Sequence, residues 1–196
     1  MIFKNILMCK PRYFDVIHYK LNAHMVMKNT VNYQNALTQW NLLNSKLNSY
    51  GANVHYIKPQ QSLVDMVFAA NGALIYNNKA LVSNFNAVPR KPETPYYMNF
   101  FKLNNYDTFV LKTEFEGAGD GLFSHNKQHL WLGHGFRSNQ KAYYEIKNIL
   151  DDDNLNIHTL KLIKDKWYHL DTCFCPIGHE HLLLYESAFS EESLRK

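Results

Sequence analysis

Ala73-Leu74-Ile75-Tyr76-Asn77-Asn78-Lys79-Ala80-Leu81-Val82-Ser83 decides the fold class. Two short apolar runs flank an asparagine pair, and asparagine tolerates the left-handed backbone of a tight hairpin turn. The segment therefore predicts two antiparallel strands turning on Asn77-Asn78. A short strand at Met66 to Phe68 precedes it, helical spacing near Pro95 to Leu103 follows, and Thr108 to Lys112 reads as a closing strand. The resulting order is strand, strand, helix, strand.

The same order recurs on both sides of this stretch. Upstream, Phe3 to Met8 and Tyr13 to Tyr19 read as strands around Lys10-Pro11-Arg12. A helix from about Tyr33 to Tyr50 carries Leu37, Trp40, Leu43 and Leu47 on one stripe, Gly51 stops it, and Val54 to Ile57 is the last strand. Downstream, Gly121 to Phe123 and His129 to Leu132 flank a turn at Ser124 to Lys127. A helix from about Gln140 to Leu150 and a strand Ile157 to Leu162 follow. A fourth copy begins with Tyr168 to Phe174 and Leu182 to Tyr185, after which Ser190 caps a helix with Glu191 and Glu192 in its first turn. The chain is expected to be α/β, built of repeated ββαβ units as one incomplete domain over residues 1–196, its last unit interrupted. Apolar edges left uncovered by such an array would suit a homo-oligomer or a complementing C-terminal fragment.

Composition narrows the functional classes. With 46% hydrophobic residues, 14% aromatic and 19% charged, 196 residues can bury a core and do not have the polar, highly charged composition of disordered chains. The net charge of +4 is spread along the chain without a run of five basic residues, so a nucleic-acid partner is not expected. No stretch approaches the roughly 20 apolar residues of a membrane helix. Three unevenly placed cysteines, Cys9, Cys173 and Cys175, do not make a disulfide framework and point to a reducing, cytoplasmic compartment.

Candidate chemistry gathers in three places: Asp65 and Asn71 around Met66-Val67-Phe68, Glu116 and Asp120 in Phe-Glu-Gly-Ala-Gly-Asp, and His169 with Asp171. Glycines 117, 119 and 121 permit close backbone approach beside two carboxylates, although a turn with two solvated acids has the same composition. If Tyr168 to Phe174 is a strand, His169, Asp171, Cys173 and Cys175 share one face. His169 and Cys173 would then stand roughly 13 Å apart, too far for a catalytic pair. A metal held by His169, Asp171 and Cys173 is a competing reading, and so is a core role for both cysteines. Arg90 and Arg137 stand out because arginine is scarce beside lysine, and a guanidinium fork suits bidentate carboxylate binding. Acids for a cationic end and arginines for an anionic end describe a site for a small zwitterion.

Met8-Cys9-Lys10-Pro11, Tyr13-Phe14, Leu21-Asn22, Gln39-Trp40, Asp65 to Asn71, Arg90-Lys91-Pro92-Glu93, Phe115 to Asp120, Gly133 to Ser138 and Tyr168 to Phe174, in this order, resemble the N-terminal catalytic domain of the arginine dihydrolases. That family belongs with the arginine deiminases, dimethylarginine dimethylaminohydrolases and amidinotransferases. The resemblance implies a pentein fold, a five-unit α/β propeller of which about three and a half units are present. It implies catalytic roles for Glu116 and His169, a guanidinium-gripping carboxylate at Asp171, and substrate binding by Asn22, Asn71, Arg90 and Arg137. Asp65 and Asp120 match further motif positions. No cofactor and no metal are implied. Asn71, where deiminases carry an acid, implies the dihydrolase outcome, arginine to ornithine with ammonia and carbon dioxide.

In such enzymes a cysteine thiolate attacks the guanidinium carbon, while the histidine protonates departing ammonia and then activates water. The family nucleophile lies downstream in the last unit, so this chain is expected to be truncated before it and inactive alone. A non-catalytic guanidinium-binding protein is the alternative. Ala23-His24 after Asn22 departs from the family's proline and tryptophan, which alters the local wall of the pocket.

Overall fold

The computed structural model describes residues 5–16, 22–25, 30–178 and 181–196. They fall into two compact units, Met1–Tyr19 with Met25–Ala69, and Lys20–His24 with Ala70–Lys196.

In the first unit, strand β1 (Asn5–Cys9), helix α1 (Tyr33–Ser49) and strand β2 (Asn53–Ile57) form a β-α-β crossover, with β1 and β2 paired in parallel from Asn5↔Asn53 to Cys9↔Ile57. Asn32 caps α1 by accepting the Asn35 N–H at 3.0 Å, and Gly51, at φ 77°, ends it where the sequence predicts. Trp40 is the buried residue of the helix and packs on Tyr56, whereas Leu43 is half exposed. At about 100° per residue, Leu43 falls beyond Trp40 on the side away from Leu37, at the edge of the stripe. The strand expected at Tyr13 to Tyr19 is not formed over Tyr13–Val16, where Phe14 N–H closes a turn onto the Pro11 carbonyl at 3.3 Å; Ile17–Tyr19 lie outside the described residues, as do Phe3 and Lys4 of the first expected strand.

The second unit repeats one topology twice. Strands β3 (Ala73–Tyr76) and β4 (Lys79–Val82) form the predicted hairpin, with Asn77 in the left-handed region at φ 52°. Helix α2 (Thr94–Leu103) then returns the chain so that β5 (Asp107–Val110) pairs parallel to β4. After a single turn, α3 (Gly117–Asp120), strands β6 (Gly121–Phe123) and β7 (His129–His134) pair antiparallel, and α4 (Ala142–Leu150) leads to β8 (Asn156–Lys161), parallel to β7. A last hairpin, β9 (Phe174–Ile177) with β10 (His181–Leu184), precedes the short α5 (Glu191–Leu194), capped by Ser190 as predicted.

Apolar faces explain how these pieces hold together. Leu74, Leu81, Phe115, Leu130, Ile146 and Leu150 belong to one buried cluster, and Leu160, Leu162, Leu170, Phe174 and Phe189 to a second. Isolated bridges Asn84↔Phe115 and Leu162↔Phe189 link successive pieces within the unit.

Two expected strands are replaced by 3-10 turns, Met66 to Phe68 by Val64–Val67 and most of Tyr168 to Phe174 by Leu170–Thr172. In the second case local bonds satisfy the backbone: Thr172 N–H reaches the His169 carbonyl at 3.2 Å, Cys173 N–H reaches that of Leu170 at 3.1 Å, and the Thr172 hydroxyl adds a 2.6 Å bond to His169 O. The alternation expected to put His169, Asp171, Cys173 and Cys175 on one strand face therefore does not exist.

Candidate active site

The second unit brings Asn71, Arg90, Glu116, Asp120, Arg137 and His169 into one buried polar cluster. Each reaches it from an element end: Asn71 from a 3-10 turn before β3, Arg90 from the turn before α2, Glu116 and Asp120 from either end of α3, Arg137 after β7, and His169 before the turn Leu170–Thr172.

Glu116 is the centre. Its Oε1 accepts the backbone N–H groups of Asn86 and Ala87 at 3.1 and 3.2 Å, and its Oε2 lies 2.7 Å from Arg137 Nη1 and 3.2 Å from His169 Nε2. Burial opposes the carboxylate, but the His169 hydrogen bond and the Arg137 charge outweigh it and bring Glu116 down to about 2. On the other side of the imidazole, His169 Nδ1 lies 3.0 Å from Asp120 Oδ2, while Asp120 Oδ1 accepts the Leu170 N–H at 3.0 Å. Burial disfavours the His169 cation. The charge and hydrogen bond of Asp120, joined by Glu116, reverse this and hold His169 up at about 9.

Arg90 is already engaged. Its Nε and Nη2 grip Glu93 at 2.9 and 2.8 Å, Nη1 donates to Asn71 Oδ1 at 2.8 Å, and the guanidinium lies over the Phe85 ring at 4.5 Å. Burial disfavours the charged guanidinium, but Glu93 outweighs it and holds Arg90 more firmly protonated than usual. Because the Asn71 oxygen faces Arg90, its amide nitrogen faces His169 Nε2, at 3.4 Å. Arg137 stacks on Tyr168 at 4.7 Å. The carboxylates that these two arginines grip here, Glu93 and Glu116, are the protein's own.

Asn22 is buried and accepts the His24 N–H at 3.0 Å; His24 packs on Tyr168, whose ring also lies 5.0 Å from His169. The unexpected Ala23-His24 thus supplies a wall aromatic of its own. Asp65 is buried on the turn Val64–Val67, in the first unit.

Asp171 differs from the other acids. Its side chain is open to solvent, and among the described residues its carboxylate accepts no hydrogen bond. Lost hydration raises it, the His169 cation lowers it and Asp120 raises it, to about 6. Solvent still reaches this carboxylate, so screening moderates that shift, and near neutral pH it is mostly ionised.

Cys173 stands much closer to His169 than a strand would allow, with its thiol 3.8 Å from the His169 carbonyl and 3.7 Å from that of Leu170. The strand spacing behind the distance argument is therefore absent, but these contacts are with main-chain carbonyls and not with the imidazole, and burial pushes the Cys173 thiol up to about 11, away from the reactive thiolate. Among the described residues, no group of three His, Cys, Asp or Glu side chains is placed to hold a metal, and no helix is long and apolar enough to cross a membrane.

Glu93, Ser138 and Tyr168 were missed as site residues. Glu93 follows Arg90 by three, the spacing of a helical ion pair, which was a usable signal. For Ser138 and Tyr168 there was none beyond their place next to Arg137 and His169.

Glycines give these groups room. A Cβ on Gly119 would lie 2.1 Å from Asn71 Nδ2 and 3.2 Å from His169 Nδ1, and one on Gly117, at φ 56°, 2.8 Å from the Asn71 carbonyl oxygen.

Residues 18–196 match the family described as N,N dimethylarginine dimethylhydrolase, eukaryotic. The chain belongs to this family. It is also 37% identical over 195 residues to the bifunctional arginine dihydrolase/ornithine cyclodeaminase of Synechocystis sp., covering 97% of this chain and 27% of that protein. To the dimethylarginine dimethylaminohydrolase of Mycobacterium tuberculosis it is 32% identical over 180 residues, covering 92% of this chain and 58% of that protein. The crystal structure of the N-terminal domain of a cyanobacterial arginine dihydrolase, a cysteine-to-serine variant bound to substrate, superposes with a TM-score of 0.89 at 35% identity, covering 97% of this chain and 70% of that one. The mixed α/β fold is thus that of the pentein relatives, which are guanidino-group hydrolases.

Proposed function

We propose that this chain is the guanidinium-binding part of an arginine dihydrolase or deiminase-like hydrolase, carried on about three and a half of the five ββαβ units of an α/β propeller, and that these 196 residues bind a guanidino compound without cleaving it. The observation that carries the binding reading is the contrast between Asp171 and the buried charges. Glu116, Asp120 and Glu93 are matched by Arg137, His169 and Arg90, whereas the Asp171 carboxylate, mostly ionised and open to solvent, has no hydrogen-bond donor among the described residues. A planar cation with several N–H donors suits such an acceptor.

The proton chemistry belongs to His169. Asp120 holds the proton at Nδ1, while Nε2 faces both an acceptor, Glu116 Oε2, and a donor, the Asn71 amide. Nε2 is therefore the atom at which a proton is gained and lost, as protonating a departing amine and then activating water requires. Cleavage also needs a nucleophile, and Cys173, buried and held as the thiol, does not supply one. Arg90 and Arg137 act by orienting Asn71 and Glu116.

Incubating the 196-residue protein with arginine and assaying ammonia, citrulline and ornithine tests the second half of this reading. Background rates are expected; appreciable turnover would show that a thiol of this chain serves as nucleophile.

A further inference from the structure

Ser138 bridges Glu116 and Asp120. Its Oγ lies 3.0 Å from the Glu116 backbone N–H and 2.6 Å from Asp120 Oδ2, and the residue is 5% exposed. A hydroxyl has one proton. The Glu116 N–H can only donate, so Ser138 must accept there and must send its own proton to Asp120.

The consequence passes to His169. Asp120 then meets three donors or potential donors: Ser138 O–H and His169 Nδ1 at Oδ2, and Leu170 N–H at Oδ1. The carboxylate, accepting from Ser138 at Oδ2 and from Leu170 at Oδ1, faces Nδ1 as an acceptor too. Nε2 also faces a carboxylate, Glu116 Oε2, but at 3.2 Å against 3.0 Å for Nδ1 to Asp120, and it faces the Asn71 amide donor as well; the neutral imidazole is then the Nδ1–H tautomer, with its Nε2 lone pair toward Asn71.

We propose that Ser138 is a positioning residue, which orients the Asp120 carboxylate through a one-way hydrogen bond and so fixes the tautomer of His169. This rests on the reading of His169 as the proton-handling group. Without the hydroxyl, Asp120 Oδ2 loses a donor and the Glu116 N–H loses its acceptor, so the carboxylate is free to turn and Nδ1–H loses its advantage.

The test is the pair of imidazole ¹⁵N chemical shifts of His169, followed with pH in the wild-type chain and in Ser138→Ala, Ser138→Thr and Ser138→Cys. Above the His169 midpoint, wild type and Ser138→Thr are expected to show at least tenfold more Nδ1–H than Nε2–H tautomer. Ser138→Ala, and by reason of its weak thiol donor Ser138→Cys, are expected to lose most of that bias. A wild-type ring that is Nε2–H, or an unchanged bias in whichever of the Ala and Cys variants folds, would overturn the proposal. Arginine binding measured on the same samples separates the two ideas: a correct tautomer without binding removes the guanidinium reading and leaves the role of Ser138 standing.

Discussion

Arg90 and Glu93 face each other as two forks, Nε to Oε1 at 2.9 Å and Nη2 to Oε2 at 2.8 Å, both almost fully buried. A buried pair contributes little against a well-packed apolar replacement, yet removing one partner strands the other charge away from water. Glu93→Gln is therefore expected to lower the unfolding free energy by about 3–5 kcal/mol, read from urea denaturation midpoints. A change under about 1 kcal/mol would mean that Arg90 reaches solvent or another anion at little cost.

The two shifted groups around Glu116 predict a stability profile. His169 is raised to about 9, so its contribution is complete below the ordinary imidazole range, about 6.5, and disappears as the pH rises through 9. Glu116 is lowered to about 2, so its contribution is present above about 4.3 and is lost as the pH falls toward 2. From these two groups alone, denaturation midpoints should be greatest between about pH 4.3 and 6.5 and decline on either side, the raised but solvent-screened Asp171 taking away a smaller share as the pH rises toward 6. His169→Gln should flatten the alkaline decline. A midpoint that rises between pH 7 and 9 would contradict the clamped imidazolium.

Gly119 sets the spacing of Asn71 and His169. A methyl at this position would sit 2.1 Å from the Asn71 amide nitrogen, so Gly119→Ala must push that side chain away. Overpacking of this kind costs about 1–3 kcal/mol. Arginine affinity should fall by at least about tenfold, beyond what the loss of folded protein explains; retained affinity would show that Asn71 is not part of the binding surface.

The cysteines should separate by reactivity. Cys175 is exposed, while Cys173 is buried with its thiol pushed up to about 11. A disulfide reagent at pH 8 should modify Cys175 rapidly and Cys173 only on unfolding, as mass spectrometry of digested protein would show. Fast modification of Cys173 in the folded chain would remove the reason for denying it a nucleophilic role.

How far the sequence carried this reading depends on the kind of signal. The Asn77-Asn78 hairpin, Gly51 as a helix stop and Ser190 as a cap were legible because each depends on a local backbone preference. The strands expected at Tyr13 to Tyr19, over its described part Tyr13–Val16, at Met66 to Phe68 and at Tyr168 to Phe174 were not, because period-two alternation over so few residues does not reveal whether a neighbouring strand exists to pair with. Glu116, Asp120, His169, Asn71, Arg90 and Arg137 stand out in the sequence by residue type and motif, and in the structure they converge. What residue type alone hid was the internal pairing of both arginines, the tight approach of Cys173 to the His169 carbonyl, and the bridging hydroxyl of Ser138, all of them products of contacts distant in sequence.

Under the proposed function, Asp171 is the acceptor for a cationic guanidino ligand. Isothermal calorimetry of the 196-residue protein with arginine and agmatine at pH 7, beside Asp171→Asn, tests it directly. One-to-one binding to the wild-type chain is expected, weakened at least about tenfold in Asp171→Asn, roughly the loss of one charge-assisted hydrogen-bond pair. Absence of binding to the folded wild-type chain, or equal affinity for both proteins, would contradict it.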